Sequence, residues 1–249
     1  MSARLVSVAA ALLLLTAGAP TASAGSTEAA VSAPQRMGDA QLRFNFDNGE
    51  SLRPGTRVRN VSGLGAGRVL VAGGGRLLRV QGITRHGAKF PAACRGCGRA
   101  IIEAPDRAAL DPRRSDFTFS AAVRMAPREG RHRSNIVQKG YFRQPGGQYK
   151  LQIDFGRPSC VVRGGAGRVF ARSTVNLADR RWHTVTCHRW GSAVLLRVDG
   201  KVRARVRGAT GWLANESPVR IGGKKVTSGP NDQYRGRLDN VFVRIRSAR

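Results

Sequence analysis

The chain is poor in negative charge. Fifteen Asp and Glu stand against 43 Lys and Arg in 249 residues, a formal net charge of +28 at pH 7, and nearly all the cations are arginine. Scarce acids exclude one chemistry early. Retaining glycosidic-bond hydrolysis needs two carboxylates about 5–5.5 Å apart, which on a strand means a compact run such as ExDxxE. No such run exists. The closest acidic pairs are Asp47 with Glu50 and Glu103 with Asp106, and Asp154 stands alone on its strand as a salt-bridge partner for a neighbouring cation. No Ser or Cys occupies a nucleophile-elbow context beside His132, His183 or His188, and no carboxylate is placed in sequence to orient those imidazoles. The chain therefore reads as a non-enzyme. Beyond its first residues it has no run near 18 apolar side chains, so no membrane-spanning helix is expected. No window shows a sustained helical period, and no internal repeat is visible.

What is present begins with an export-type segment over Met1–Ala24. Arg4 supplies a positive head, Leu5–Leu15 an apolar run, and Ala22-Ser23-Ala24 a small-residue cleavage site. Leu15-Thr16-Ala17-Gly18 resembles the start of a lipoprotein signal, but Ala19 stands where the lipidated cysteine would be, so free secretion is the expectation. Residues 25–41, rich in Ser, Thr and Ala without apolar periodicity, predict a disordered leader. Residues 42–249 then suit one domain large enough to remove roughly 70% of its unfolded surface from water.

That domain reads as all-β. Strands are predicted at Leu42–Phe46, Arg76–Val80, Arg99–Glu103, Phe117–Met125, Asn135–Lys139, Gln148–Phe155, Ser159–Arg163 and Arg168–Arg172. Further strands follow at Trp182–Arg189, Ala193–Val198, Lys201–Arg207, Val219–Ile221 and Arg235–Ile245. Asp199-Gly200 between two of them is a hairpin-turn signal. Ala104–Pro112 predicts one helical turn with Asp106 as its cap. Many short strands separated by Gly-rich turns suit a sandwich or a barrel.

Four cysteines in an exported chain imply two disulfides, with three connectivities open. Cys160 and Cys187 fall in two strands of a predicted meander, where opposed side chains have the Cβ separation a disulfide needs. Closing that loop stabilises by roughly 3 kcal/mol. Cys94 and Cys97 form a single CRGC with no second CxxC to complete a sulfur metal site, and are read as a local bridge.

The order of phrases in the last half of the chain is informative. NIVQKG (135–140), GGQYKLQIDFG (146–156), RRWHTV (180–185), VDG (198–200), IGG (221–223) and RLDNV (237–241) resemble, in that order, the laminin G-like domains of the concanavalin A-like lectin and glucanase superfamily. The resemblance spans about Leu42–Arg246. It implies a two-sheet antiparallel jelly-roll sandwich, a packing role for His183, and a structural Ca2+ between the first strand and the last. Asp47 with the Asn48-Gly49 carbonyls, and Asp239, would supply oxygen ligands.

The charge leaves two readings open: a surface selected for polyanions, with salt-dependent binding, or a drift toward arginine unrelated to function. Lys201, Arg203, Arg205 and Arg207 alternate with Val202, Ala204 and Val206, so strand period predicts four cations on one face. They form either a polyanion stripe or a charged edge that discourages strand pairing. Arg128, Arg131, His132 and Arg133 read as a solvated loop, and His86 also as a loop residue. Tyr141 and Phe142, with Trp212 and Tyr234, are the candidates for exposed aromatics on which a sugar ring can stack. The expected function is a secreted, lectin-like module for extracellular carbohydrate or acidic glycans, with no specific nucleic acid as partner. The alternative is an adhesion module for protein or cell-wall polyanions on the basic face, and a glycan-active enzyme stands third.

Overall fold

The computed structural model describes residues 40–246, apart from 50, 93–95, 97 and 228. The export-type segment, most of the leader, Cys94 and Cys97 lie outside the described residues. In chain order the strands are β1 (Leu42–Phe44), β2 (Arg57–Val58), β3 (Gly67–Ala72), β4 (Leu78–Gln81), β5 (His86–Lys89), β6 (Arg99–Ala104), β7 (Phe117–Arg124) and β8 (Arg133–Lys139). They continue as β9 (Gln148–Asp154), β10 (Arg157–Gly164), β11 (Gly167–Arg172), β12 (Trp182–Trp190), β13 (Ala193–Val198), β14 (Lys201–Arg207), β15 (Val219–Ile221) and β16 (Arg237–Ile245). Sheet A has the order β14-β13-β12-β7-β16-β5-β4, with β1 also on β16. Sheet B runs β11-β10-β9-β8-β15-β6-β3-β2. Every pairing is antiparallel, giving the expected jelly-roll sandwich.

Strand alternation builds the core. Across sheet A the register lines up Leu196, Cys187, Phe119, Val243 and Leu42, all buried. Across sheet B it lines up Ala171, Cys160, Leu151, Val137, Ile221, Ile102 and Val69, also buried. These rows face each other, and the Cys160–Cys187 disulfide joins them. The expected pair forms, but for a different reason: the cysteines lie in opposite sheets, and the bond crosses the core. Phe117 and Phe119 from sheet A meet Tyr149 from sheet B with ring centroids 5.4 and 5.3 Å apart.

The Asp199-Gly200 signal holds. Both residues have positive φ, 51° and 75°, as a two-residue hairpin turn matched to strand twist demands. Gly67 serves packing: a Cβ there would stand 2.7 Å from Ile102 Cγ2 and 2.9 Å from the Phe44 ring.

Three strands escaped the sequence reading: β2, β3 and β5, the last containing His86. The predicted helical turn is a single 3₁₀ turn over Ala108–Leu110, preceded by Arg107 with no side-chain cap. Asp106 is drawn away to the Lys139 ammonium.

Candidate functional site

The β14 stripe is broken. A register shift opposite Leu196/Arg197 pairs Lys201 with Val198 and Val202 with Arg197, then Ala204 with Leu196 and Arg205 with Leu195. Arg203 is the extra residue of a bulge. Lys201 thus takes the phase of Ala204 and Val206, while Arg205 takes that of the exposed Val202. All four cations are exposed because β14 is an edge strand, yet they do not form the single-face row that unbroken alternation predicts. The uninterrupted stripe is on β11, where Arg168, Phe170 and Arg172 are exposed and Val169 and Ala171 are buried.

The aromatic candidates separate. Tyr234 is buried, its hydroxyl donating to the Arg124 and Arg237 carbonyls at 3.2 and 2.9 Å. Tyr141 is half-buried, donating to the Lys224 carbonyl at 3.0 Å and accepting from Arg220. Phe142 and Trp212 are exposed, at 53% and 48%.

These two exposed rings lie at one rim of the sandwich. The segment from Gly208 to Pro218 crosses from β14 in sheet A to β15 in sheet B and passes over the ends of two hairpins. Gly165 N–H donates to the Trp212 carbonyl at 2.8 Å, and Ala214 N–H to the Gly146 carbonyl at 3.0 Å. Beside it, Arg163 and Arg168 stack on Phe142 at 5.8 and 5.3 Å, and Arg113 stacks on Trp212 at 5.7 Å. Arg246 covers the exposed Trp190 at 5.4 Å. Beside Trp212 runs a groove of about 410 Å³ lined by Trp212, Arg113, Arg114, Arg246, Asp111 and Ile245, among others. Cations over aromatic faces are attractive, by roughly 0.5–1 kcal/mol when exposed.

Two buried cations anchor this crossover. Arg189, 2% exposed, donates to the carbonyls of Pro112, Arg113, Ser115 and Gly211 and lies 4.7 Å over the Phe117 ring. Burial lowers its guanidinium to about 10, so it stays charged at neutral pH. Lys139, fully buried, donates to Asp106 and to the Asn215 and Ser217 carbonyls, and pairs with Asp111 at 3.1 Å. Neither residue was flagged by sequence, where a lone cation on a strand reads as solvated.

His183 is not packing filler. Its Nδ1 lies 2.7 Å from Asp199 Oδ2 and its Nε2 3.0 Å from Asp179 Oδ1, so a doubly protonated ring donates to both. Burial lowers the His183 pKa, but the bonds to Asp199 and Asp179 outweigh it, and the net direction is upward from 6.5. Burial raises Asp179, but bonds from Arg181 and His183 outweigh it and hold the acid well below 3.8. The stabilisation from a raised histidine is complete below 6.5 and lost as pH rises through its folded value. That from a depressed acid is present above 3.8 and lost as pH falls. His183→Gln is therefore expected to lower stability by about 1 kcal/mol, most between roughly pH 4 and 6.5. Melting curves across pH check this, and a pH-independent difference contradicts it. With both nitrogens engaged, the ring has no free position for general-base chemistry. Asp154 accepts from Gln152 at 2.9 Å in place of the ion pair its sequence context suggested.

Asp47 and Asp239 do converge on one element, the Gly82–His86 turn. Asp239 Oδ2 accepts from Ile83 N–H at 3.0 Å and Oδ1 from Asn240 N–H at 2.6 Å, while Asp47 Oδ1 accepts from His86 N–H at 3.0 Å. Asn45 donates to Asp47 at 3.1 Å, leaving its own Oδ1 buried without a hydrogen-bond partner. Carboxylate and amide oxygens are the donors calcium takes. Among the described residues no three His, Cys, Asp or Glu side chains converge on a metal position, so carbonyls and water would have to complete a shell.

A family model described as the concanavalin A-like lectin/glucanases superfamily, of laminin G type, matches residues 98–247. The chain belongs to that superfamily. Solved structures extend the likeness to the earlier strands. The binding domain of Paraclostridial Mosquitocidal Protein 1 is 14% identical with a TM-score of 0.61, over 85% of this chain and 50% of that one. The binding domain of botulinum neurotoxin DC, in complex with SialylT, is 10% identical with a TM-score of 0.57, over 85% and 49%. A structure of botulinum neurotoxin type C, whose cell entry depends on two ganglioside molecules, is 11% identical with a TM-score of 0.57, over 85% and 49%. The chain thus spans about half the length of each, and at these identities the likeness establishes the fold alone. No curated protein matches the sequence. Among the described residues no helix is long and apolar enough to cross a membrane.

Proposed function

We propose that this superfamily member is an extracellular, non-catalytic binding module that holds acidic glycans at its arginine–aromatic rim. The observation that carries the reading is the Trp212 groove. An exposed indole offers an apolar face to a sugar ring, and Arg113, Arg114 and Arg246 offer guanidinium forks to a carboxylate or sulfate on that sugar. The disulfide and the export-type segment support an oxidising, extracellular setting. Similar folds in domains that engage sialylated and ganglioside ligands are in keeping with it.

A glycan array at low and high salt tests the proposal. Discrete acidic hits that survive salt, and that weaken at least about tenfold in Trp212→Ala, match loss of a stacking contact worth on the order of 1–2 kcal/mol. Uniform binding of every polyanion that vanishes with salt, unchanged in Trp212→Ala, would instead support adhesion through the exposed cations of β14 and β11.

The same reading includes a structural calcium held by Asp47 and Asp239, which would tie the first strand to the last. Calcium is expected to raise the melting temperature by several degrees over chelator, and Asp47→Asn to abolish the rise. A melting temperature indifferent to chelator refutes the calcium.

A further inference from the structure

The outer face of sheet A carries, at the end opposite the rim, a cluster that packing does not explain. Val123, Leu238 and Ala88 point into the core, so the adjacent Arg124, Arg237 and Lys89 stand on the outer face. The register sets them directly abreast: Arg237 is paired with Arg124 on β7 to one side and with Lys89 on β5 to the other. Directly opposed side chains have Cβ atoms about 4.5–5.5 Å apart, and like charges there destabilise a sheet. Arg180 adds a fourth cation, held close because Arg124 Nε donates to the Arg180 carbonyl at 2.6 Å. These four residues and Glu129 line a cleft of about 180 Å³. Glu129 is the acidic side chain lining it, and its Oε2 already accepts from Ala126 N–H at 2.6 Å. One carboxylate cannot balance four cations.

We propose that this cleft binds a tetrahedral oxyanion, the sulfate or phosphate ester group of a larger ligand, whose charge relieves the repulsion among Lys89, Arg124, Arg180 and Arg237. Planar guanidinium donors suit such oxygens. The cleft and the Trp212 groove lie at opposite ends of β7, a strand of roughly 25 Å, and the inference stands apart from the glycan reading of the rim.

The test is thermal unfolding of the full chain in low-salt buffer with added inorganic sulfate, inorganic phosphate or chloride at matched ionic strength. Wild type is expected to gain more from sulfate or phosphate than from chloride. Arg237→Gln should melt above wild type in the anion-poor buffer, because repulsion is relieved, and should bind sulfate about tenfold more weakly, as loss of one charge-assisted contact gives. Lys89→Gln should do the same to a smaller degree. Arg114→Gln, which removes a rim cation, should keep the full sulfate response, which separates this site from the rim. A sulfated polysaccharide and a poly(glycerol phosphate) then distinguish the two ester sources by which one protects wild type and not Arg237→Gln. A sulfate response no greater than that to chloride, or equal responses in wild type and both cleft variants, overturns the proposal.

Discussion

Replacing Arg189 by leucine should destabilise the protein by about 4 kcal/mol, in the range for deleting a buried, fully bonded charge. The Ser115 and Gly211 carbonyls would lose their donor at once, while those of Pro112 and Arg113 would keep only the Ser115 and Leu213 N–H groups. A buried unsatisfied polar group costs about 1–3 kcal/mol, so these two carbonyls account for a loss of about 4 kcal/mol. In a domain of this size each kcal/mol moves the melting temperature by roughly 2–4 °C, which gives a fall of about 8–16 °C. Arg189→Lys should recover little of it, because one ammonium cannot span the Pro112–Ser115 and Gly211 carbonyls together. A fall under about 3 °C in Arg189→Leu would show that the crossover is held by other means.

Lys139→Met is the second large effect, again about 4 kcal/mol. It removes the one ammonium between Asp106 and Asp111 and strands the Asn215 and Ser217 carbonyls. Lys139→Met combined with Asp111→Asn should be less destabilising than the single variant, since no uncompensated carboxylate remains on that side. Denaturant melts of the three proteins at pH 7 measure this. A double variant no more stable than Lys139→Met would mean that packing, and not charge, dominates. Both substitutions bear on the same segment, so each should weaken acidic-glycan binding at Trp212 without touching it.

The regular parts of the fold were legible because strand alternation and turn chemistry are local. Val194, Leu196 and Val198 alternate with Leu195 and Arg197, and Asp199-Gly200 fixes the hairpin whatever surrounds it. β2 is two residues long, and β5 reads His-Gly-Ala-Lys, too short and too weakly apolar to show a period. Arg189 and Lys139 were invisible for another reason: their partners are carbonyls and acids dozens of residues away, and sequence prices a charge as solvated. Tyr234 misled in the opposite sense, since its polar neighbours in NDQYRGR suggest exposure while the ring seals the core against Phe90. Phe142 and Trp212 could be found because a large ring in a Gly-rich loop has little local apolar company. The cleft at Lys89, Arg124 and Arg237 could not, because only cross-strand register brings those three together.

The register break at Arg203 has a bearing on how the molecule keeps to itself. A second chain docking along β14 would need an unbroken ladder of amide and carbonyl groups, and the bulge puts that ladder out of step midway. The exposed margin most crowded with cations is thereby a poor template for fibril growth, even where a bound polymer neutralises its charge and draws many copies into close quarters.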